Sequence, residues 1–147
     1  MTTRVFVDTN VWVYAADHRD VAKQQRALTI VRSGADGDFV VSAQVLGEFF
    51  DVTTRKLAKH VAIGDAQALV SEMSRLPVVP VDVRLVQEAI AGASEWRLSY
   101  WDPLIIAAAE TSGCDVVLSE DMSDGQVYGS VRVENPFRAP QPPGDEP

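Results

Sequence analysis

Four acidic residues stand at corresponding places in this chain. Asp8 directly follows the apolar triplet Val5-Phe6-Val7, Glu48 falls early in the helix expected after Phe39-Val40-Val41, Asp102 heads the segment Asp102-Pro103, and Asp121 comes just after Val116-Val117-Leu118. If the triplets are strands of one parallel sheet, all four carboxylates lie at the same edge of it. They would repel one another strongly there unless a divalent cation joined them. Such a grouping suits metal-assisted hydrolysis of a phosphodiester.

The elements that must position these acids are legible as alternating patterns. Val5 to Val7, Phe39 to Val41, Val78 to Val81, Val116 to Leu118 and Val131 to Val133 are short apolar runs bounded by polar or turn residues, as strands buried on both faces require. Asn10 to Ala16, Val21 to Ser33, Ala43 to Lys59, Gly64 to Leu76, Val83 to Trp96 and Pro103 to Ser112 are long enough for helices. The alternation predicts a three-layer α/β/α sandwich around a central, mainly parallel five-stranded sheet. Right-handed crossovers make the strands point one way, and ligands gather beyond their carboxyl ends. Ser42 is expected to cap the helix carrying Glu48, leaving that side chain within reach of the edge.

A chain of 147 residues has the size of one domain and can bury roughly two thirds of its unfolded surface. Its 46% hydrophobic and 23% charged residues describe a globular protein. We expect a domain over 1–137 and a flexible tail over 138–147, because Pro136 to Pro147 holds five prolines. No apolar run approaches the ~20 residues that span a bilayer, and Met1-Thr2-Thr3-Arg4 shows no signal-peptide pattern. A cytoplasmic protein without membrane contact is expected, and the lone Cys114 fits a reducing compartment. A net charge of -8 argues against a protein that coats nucleic acid, though not against an enzyme working on it through cations.

Each acid also has a plainer reading. Asp102 before Pro103 reads as a helix cap, Asp8-Thr9-Asn10 as strand-to-helix turn chemistry, and Ser119 to Gly125 as a polar loop. Glu48 resists dismissal, since it lies among Val45, Leu46, Phe49, Phe50 and Val52, where a buried carboxylate requires a partner. The cluster Arg55, Lys56, Lys59, His60 reads either as a solvated helix end or as a phosphate-tracking patch. Other chemistries lack their parts: His18 and His60 have no pattern around them, Cys114 falls at the opposite end of its strand, and Asp8-Thr9-Asn10 replaces a glycine-rich phosphate loop. Trp12, Trp96 and Trp101 are read as packing residues.

Val7-Asp8-Thr9-Asn10, Gln44 to Phe49, Tyr100 to Ile105 and Leu118 to Met122 resemble, in order, the motifs of PIN-domain ribonucleases. The ending Val133-Glu134-Asn135-Pro136-Phe137 resembles that of VapC-type toxins of bacterial toxin-antitoxin pairs. The resemblance covers essentially residues 4 to 137. It implies a Mg²⁺- or Mn²⁺-dependent endoribonuclease acting on RNA, a homodimer, inhibited by a cognate antitoxin. Asp8 and Asp102 match the family's central metal ligands, Glu48 and Asp121 its other two acids, and Asp124 a more variable one. Asn10 and Ser119 match polar positions near the site, with serine standing where many members have threonine. Two alternatives stay open: a phosphatase or phosphotransferase with Asp8 as nucleophile, although Asn10 stands where such enzymes want a second acid, and a non-catalytic domain whose acidic edge receives a partner's arginine.

Overall fold

The computed structural model describes residues 3–34 and 38–138. Six strands form one sheet in the order β3-β2-β1-β4-β6-β5, where β1 is Val5–Val7, β2 Phe39–Ser42, β3 Val78–Val79, β4 Val116–Leu118, β5 Val127–Tyr128 and β6 Val131–Glu134. Every pairing is parallel except that of β5 with β6. The helices are α1 (Thr9–Ala16), α2 (Val21–Ser33), α3 (Ala43–Asp51), α4 (Ile63–Met73), α5 (Val83–Trp96) and α6 (Trp101–Thr111). The α/β/α expectation holds. No helix among the described residues is long and apolar enough to cross a membrane. Of the tail expected over 138–147, only Arg138 lies within the described residues.

The two-residue period of the strands divides the core. Phe6, Val117, Val131 and Val133 pack with Val45 and Phe49 of α3, Leu85 and Ala89 of α5, and α6. Val7, Phe39 and the half-buried Val5 and Leu118 pack against α1 and α2 through Val11, Ala27 and Ile30. Pro103 to Ala109 of α6 are all buried, which suits a helix enclosed between α5 and the sheet rather than lying on the surface. Side chains of Asp20, Ser42 and Asp82 cap α2, α3 and α5 by accepting from Lys23, Val45 and Leu85 amides.

Three expectations are corrected. The sheet has six strands, not five, because Val127–Tyr128 pairs antiparallel with β6 across the two-residue turn Gly129-Ser130, where Gly129 has φ 59. The third strand stops at Val79 instead of continuing to Val81. The helix expected from Ala43 to Lys59 ends as α at Asp51 and passes into a π-helical turn, Val52–Lys56. The hydroxyls of Thr53 and Thr54 each donate to a carbonyl four residues back, at 2.7 Å, so side chains compete for the acceptors of the last turn.

Asp102 owes its place to the packing of α6 on α5, and Gly92 allows the two to approach. A Cβ there would lie 2.6 Å from the Trp96 ring and 3.2 Å from Pro103. Gly92→Val should therefore destabilise the fold by about 1–3 kcal/mol through overpacking. Thermal denaturation should show a melting temperature several degrees lower.

Candidate active site

The strand order reverses direction at β1, which has β2 on one side and the much later β4 on the other. Beyond the carboxyl ends of β1 and β4 lies the crevice where open α/β sheets take ligands. Asp8 occupies it. Its amide donates to the Leu118 carbonyl at 3.0 Å, so the β1–β4 ladder delivers the residue to the edge. Its carboxylate accepts from the Thr9 amide at 2.7 Å, capping α1, and from the Ser119 hydroxyl at 2.7 Å. Only 5% of Asp8 remains exposed. Burial pushes its pKa up to about 6, opposed by the bonds from Ser119 and Thr9 and reinforced by the charges of Asp121 and Glu48.

Asn10 cross-braces this edge. Its amide nitrogen stands 3.4 Å from Asp8 Oδ2, 3.2 Å from Ser119 Oγ and 3.2 Å from Asp121 Oδ2, and its carbonyl accepts from the Glu120 amide at 3.1 Å. Ser119 Oγ also accepts from the Asp121 amide at 3.1 Å. The loop after β4 is thereby fixed beside Asp8. Glu120 anchors it from the outside, accepting from Tyr14 Oη and from Lys23 Nζ, each at 2.7 Å. Lys23 in turn lies over the rings of Tyr14 and Phe137.

The other two acids come from the α3–α6 side. Glu48 is half-buried rather than buried, and it has partners: Gln44 Nε2 donates to Oε1 at 2.6 Å, and Thr9 Oγ1 stands 3.4 Å from Oε2. Asp102 is not the helix cap expected from Asp102-Pro103. The helix starts two residues before the expected Pro103, at Trp101, and Asp102 lies in its first turn. Burial, with the charges of Asp121 and Glu48, raises its pKa. Asp8 and Asp102 thus feel the same two neighbouring acids, and all four predicted carboxylates belong to one electrostatic cluster.

Asp124 is engaged elsewhere, binding the Asn135 amide and Arg138 Nη1, each at 2.8 Å, so it staples the loop after β4 to the segment after β6. The basic cluster is partly spent, since Arg55 and Lys56 both pair with Asp51. Cys114 is buried, as expected, and His18 and His60 are exposed. Trp12 and Trp96 pack against the core, but Trp101 is 61% exposed, which corrects its reading as a packing residue. Gln44 and Thr9 carried no signal as separate candidates, although the spacing of Gln44 four residues before Glu48 places both on one helix face. A cavity of about 800 Å³ bounded by Trp12, Phe49, Met73 and Leu76 holds none of the four acids. Its lining is mostly apolar, with His18, Glu72 and Arg75 among it.

The donor set consists of carboxylate, amide and hydroxyl oxygens, which suit a hard cation. Among the described residues no three Asp, Glu, His or Cys side chains converge closely enough to hold an ion directly. That spacing fits Mg²⁺, which keeps several of its waters and takes few protein carboxylates. A divalent charge among the four acids would relieve Asp8 and Asp102 of the repulsion from Asp121 and Glu48.

The raised pKa of Asp8 has a definite consequence for stability without metal. Its folded pKa of about 6 exceeds the ordinary aspartate value of 3.8, so the folded form holds its proton more tightly than the unfolded chain. The group costs nothing below about pH 4, its penalty grows between pH 4 and 6, and the full penalty of about 3 kcal/mol applies above pH 6. Asp8→Asn should therefore raise the metal-free melting temperature more at pH 7.5 than at pH 4.5. Thermal denaturation at the two pH values in chelator checks the difference.

A model of the PIN domain family matches residues 5–123. No curated protein sequence matches significantly. Several solved structures share the fold. VapC20 of Mycobacterium tuberculosis, described as a toxin that cleaves the sarcin-ricin loop, is 20% identical with a TM-score of 0.61 over 80% of this chain and 89% of that one. A toxin-antitoxin complex from Klebsiella pneumoniae is 14% identical, with a TM-score of 0.69 over 93% of this chain and 100% of that one. The DNA-bound VapBC complex from Salmonella typhimurium is 17% identical, with a TM-score of 0.65 over 90% and 98%. The family match begins at the first strand and runs past Asp121, so it encloses the whole acidic edge, and the chain belongs to the PIN domain family.

Proposed function

We propose that this protein is a divalent-metal-dependent endoribonuclease and the toxin of a toxin-antitoxin pair. The observation that carries the reading is the gathering of Asp8, Glu48, Asp102 and Asp121 at the β1–β4 crevice, with Asp8 and Asp102 raised by burial and by the same two neighbours. Family membership supports it, as do the toxins and toxin-antitoxin complexes among the proteins that share the fold.

Asp8 and Asp102 would hold Mg²⁺ or Mn²⁺, with Glu48 and Asp121 acting directly or through water. Such an ion lowers the pKa of a coordinated water and neutralises charge developing on the phosphate. The chain's own contribution is to keep these acids in place. Asn10 holds Asp8, Ser119 and Asp121 in a fixed relation, the Ser119 hydroxyl donates to Asp8, and Lys23 with Tyr14 restrains the loop through Glu120. Water rather than the ribose 2′-hydroxyl attacks the phosphorus, leaving a 5′-phosphate and a 3′-hydroxyl. A phosphotransferase using Asp8 as nucleophile is disfavoured, because the position two residues on, where such enzymes want a second acid, is the amide Asn10.

The acidic edge would attract a basic segment of the antitoxin. Exposed Ile63, Val83, Ile90 and Trp101 offer apolar area for association with that partner or with a second copy, in keeping with the proposed homodimer. The proposed setting is the cytoplasm.

Cleavage of cellular RNA by the purified protein should require Mg²⁺ or Mn²⁺, stop in chelator and leave 5′-phosphate ends. Asp102→Asn should abolish it while melting no lower than wild type without metal, since one of four mutually repelling charges is removed. Cyclic 2′,3′-phosphate ends that persist in chelator would overturn the mechanism. If a small protein is encoded beside it, the chain co-expressed with that protein should purify as a complex without nuclease activity. An undiminished activity beside that partner would remove the toxin reading and leave the nuclease reading standing.

A further inference from the structure

Among the described residues, Gln44 Oε1 is the only buried side-chain oxygen or nitrogen without a hydrogen-bond partner. The nitrogen of the same amide is fully occupied. Nε2 donates to Glu48 Oε1 at 2.6 Å and stands 3.4 Å from the Trp101 carbonyl oxygen. Turning the amide over would set its oxygen against a carboxylate and a carbonyl, so these two acceptors fix its orientation. Leaving a buried acceptor unpaired destabilises a fold, and an apolar side chain of the same length would avoid that cost. The unpaired oxygen offsets part of what the bond to Glu48 contributes, so stability by itself gives little reason for an amide here.

Its location supplies one. Glu48 lies on α3, whereas Trp101 opens α6 and directly precedes Asp102. A single amide thus ties the carboxylate of one site acid to the backbone beside another. We propose that Gln44 is a positioning residue, holding Glu48 and the first turn of α6 in one relation so that Glu48 and Asp102 meet the same divalent cation. This rests on the metal-dependent reading above. Hydrogen-bonded partners of metal-binding side chains typically govern about 10–100-fold in metal affinity or activity.

The test compares wild type with Gln44→Met, which keeps the volume and removes the amide. Two measurements are made on the full chain: the rise in melting temperature during Mg²⁺ and Mn²⁺ titration, and cleavage of cellular RNA. Gln44→Met should bind the ion about 10–100-fold more weakly and recover cleavage as Mg²⁺ is raised. Should it not fold, Gln44→Ala carries the same measurements. Wild-type ion affinity and cleavage in the variant would overturn the proposal, and so would a variant that only melts lower in chelator. If wild type binds the ion but cleaves no RNA, the nuclease reading fails while the affinity of Gln44→Met still decides the role of Gln44. A wild-type protein indifferent to both ions overturns the two together.

Discussion

The fold takes a carboxylate out of water at the sheet edge, and much of the surrounding structure answers that one charge. Asp8 sits at the end of the central strand, buried between the start of α1 and the loop after β4. A buried carboxylate is tolerated only with donors or an opposite charge at hand. The donors are present in the Thr9 amide, the Ser119 hydroxyl and the Asn10 amide. Among the described residues the charged neighbours that act on Asp8 are the acids Asp121 and Glu48. Hydrogen bonding keeps the group in place, and under the proposed function a divalent cation would supply the opposite charge.

The same constraint explains the surrounding braces. Acids that repel one another would drift apart on flexible loops, so each is held by something stiffer. Asp8 follows a strand, Asp102 lies in the first turn of a helix enclosed by the core, and Glu48 is bonded within α3. Asp121 has the least support of its own, and its loop is restrained on three sides: by Asn10 from α1, by Tyr14 and Lys23 through Glu120, and by Asp124 through Asn135 and Arg138. The Tyr14 and Phe137 rings, 4.8 Å apart, continue this tie into the segment after β6. Residues without chemistry of their own thus fix the geometry of those that have it.

Charge is distributed to the same end. Of the basic residues near the candidate elements, Lys23, Arg55, Lys56 and Arg138 are paired with carboxylates outside the four-acid cluster. Under the proposed function, positive charge at the edge would come from a metal ion or from a basic segment of a partner. A net charge of -8 is consistent with that dependence, and it weakens sequence-independent attraction to nucleic acid.

What the sequence determined by itself was whatever local pattern encodes. Apolar triplets bounded by turn residues marked the central strands, and an acid directly after one strand and another three residues after a second placed Asp8 and Asp121 at the edge. Chain connectivity then required the start of α6, and Asp102 with it, to share that edge. Ser42 was legible as a cap because capping depends on residues only three apart. Tertiary structure decided what local pattern leaves open. β5 is too short to show a period, and its turn could be read only once Tyr128 faced Val131. The threonine hydroxyls that widen the end of α3 look like ordinary helix residues in sequence. Asp102-Pro103 has the composition of a cap, yet Tyr100 already has helical dihedrals and the helix opens at Trp101, ahead of the acid. The amide of Gln44 reaches Glu48 through local spacing but Trp101 only through the fold, fifty-seven residues on. Burial, and with it the pKa of Asp8, belongs to no segment alone, since it arises where β1, α1 and the loop after β4 exclude water together.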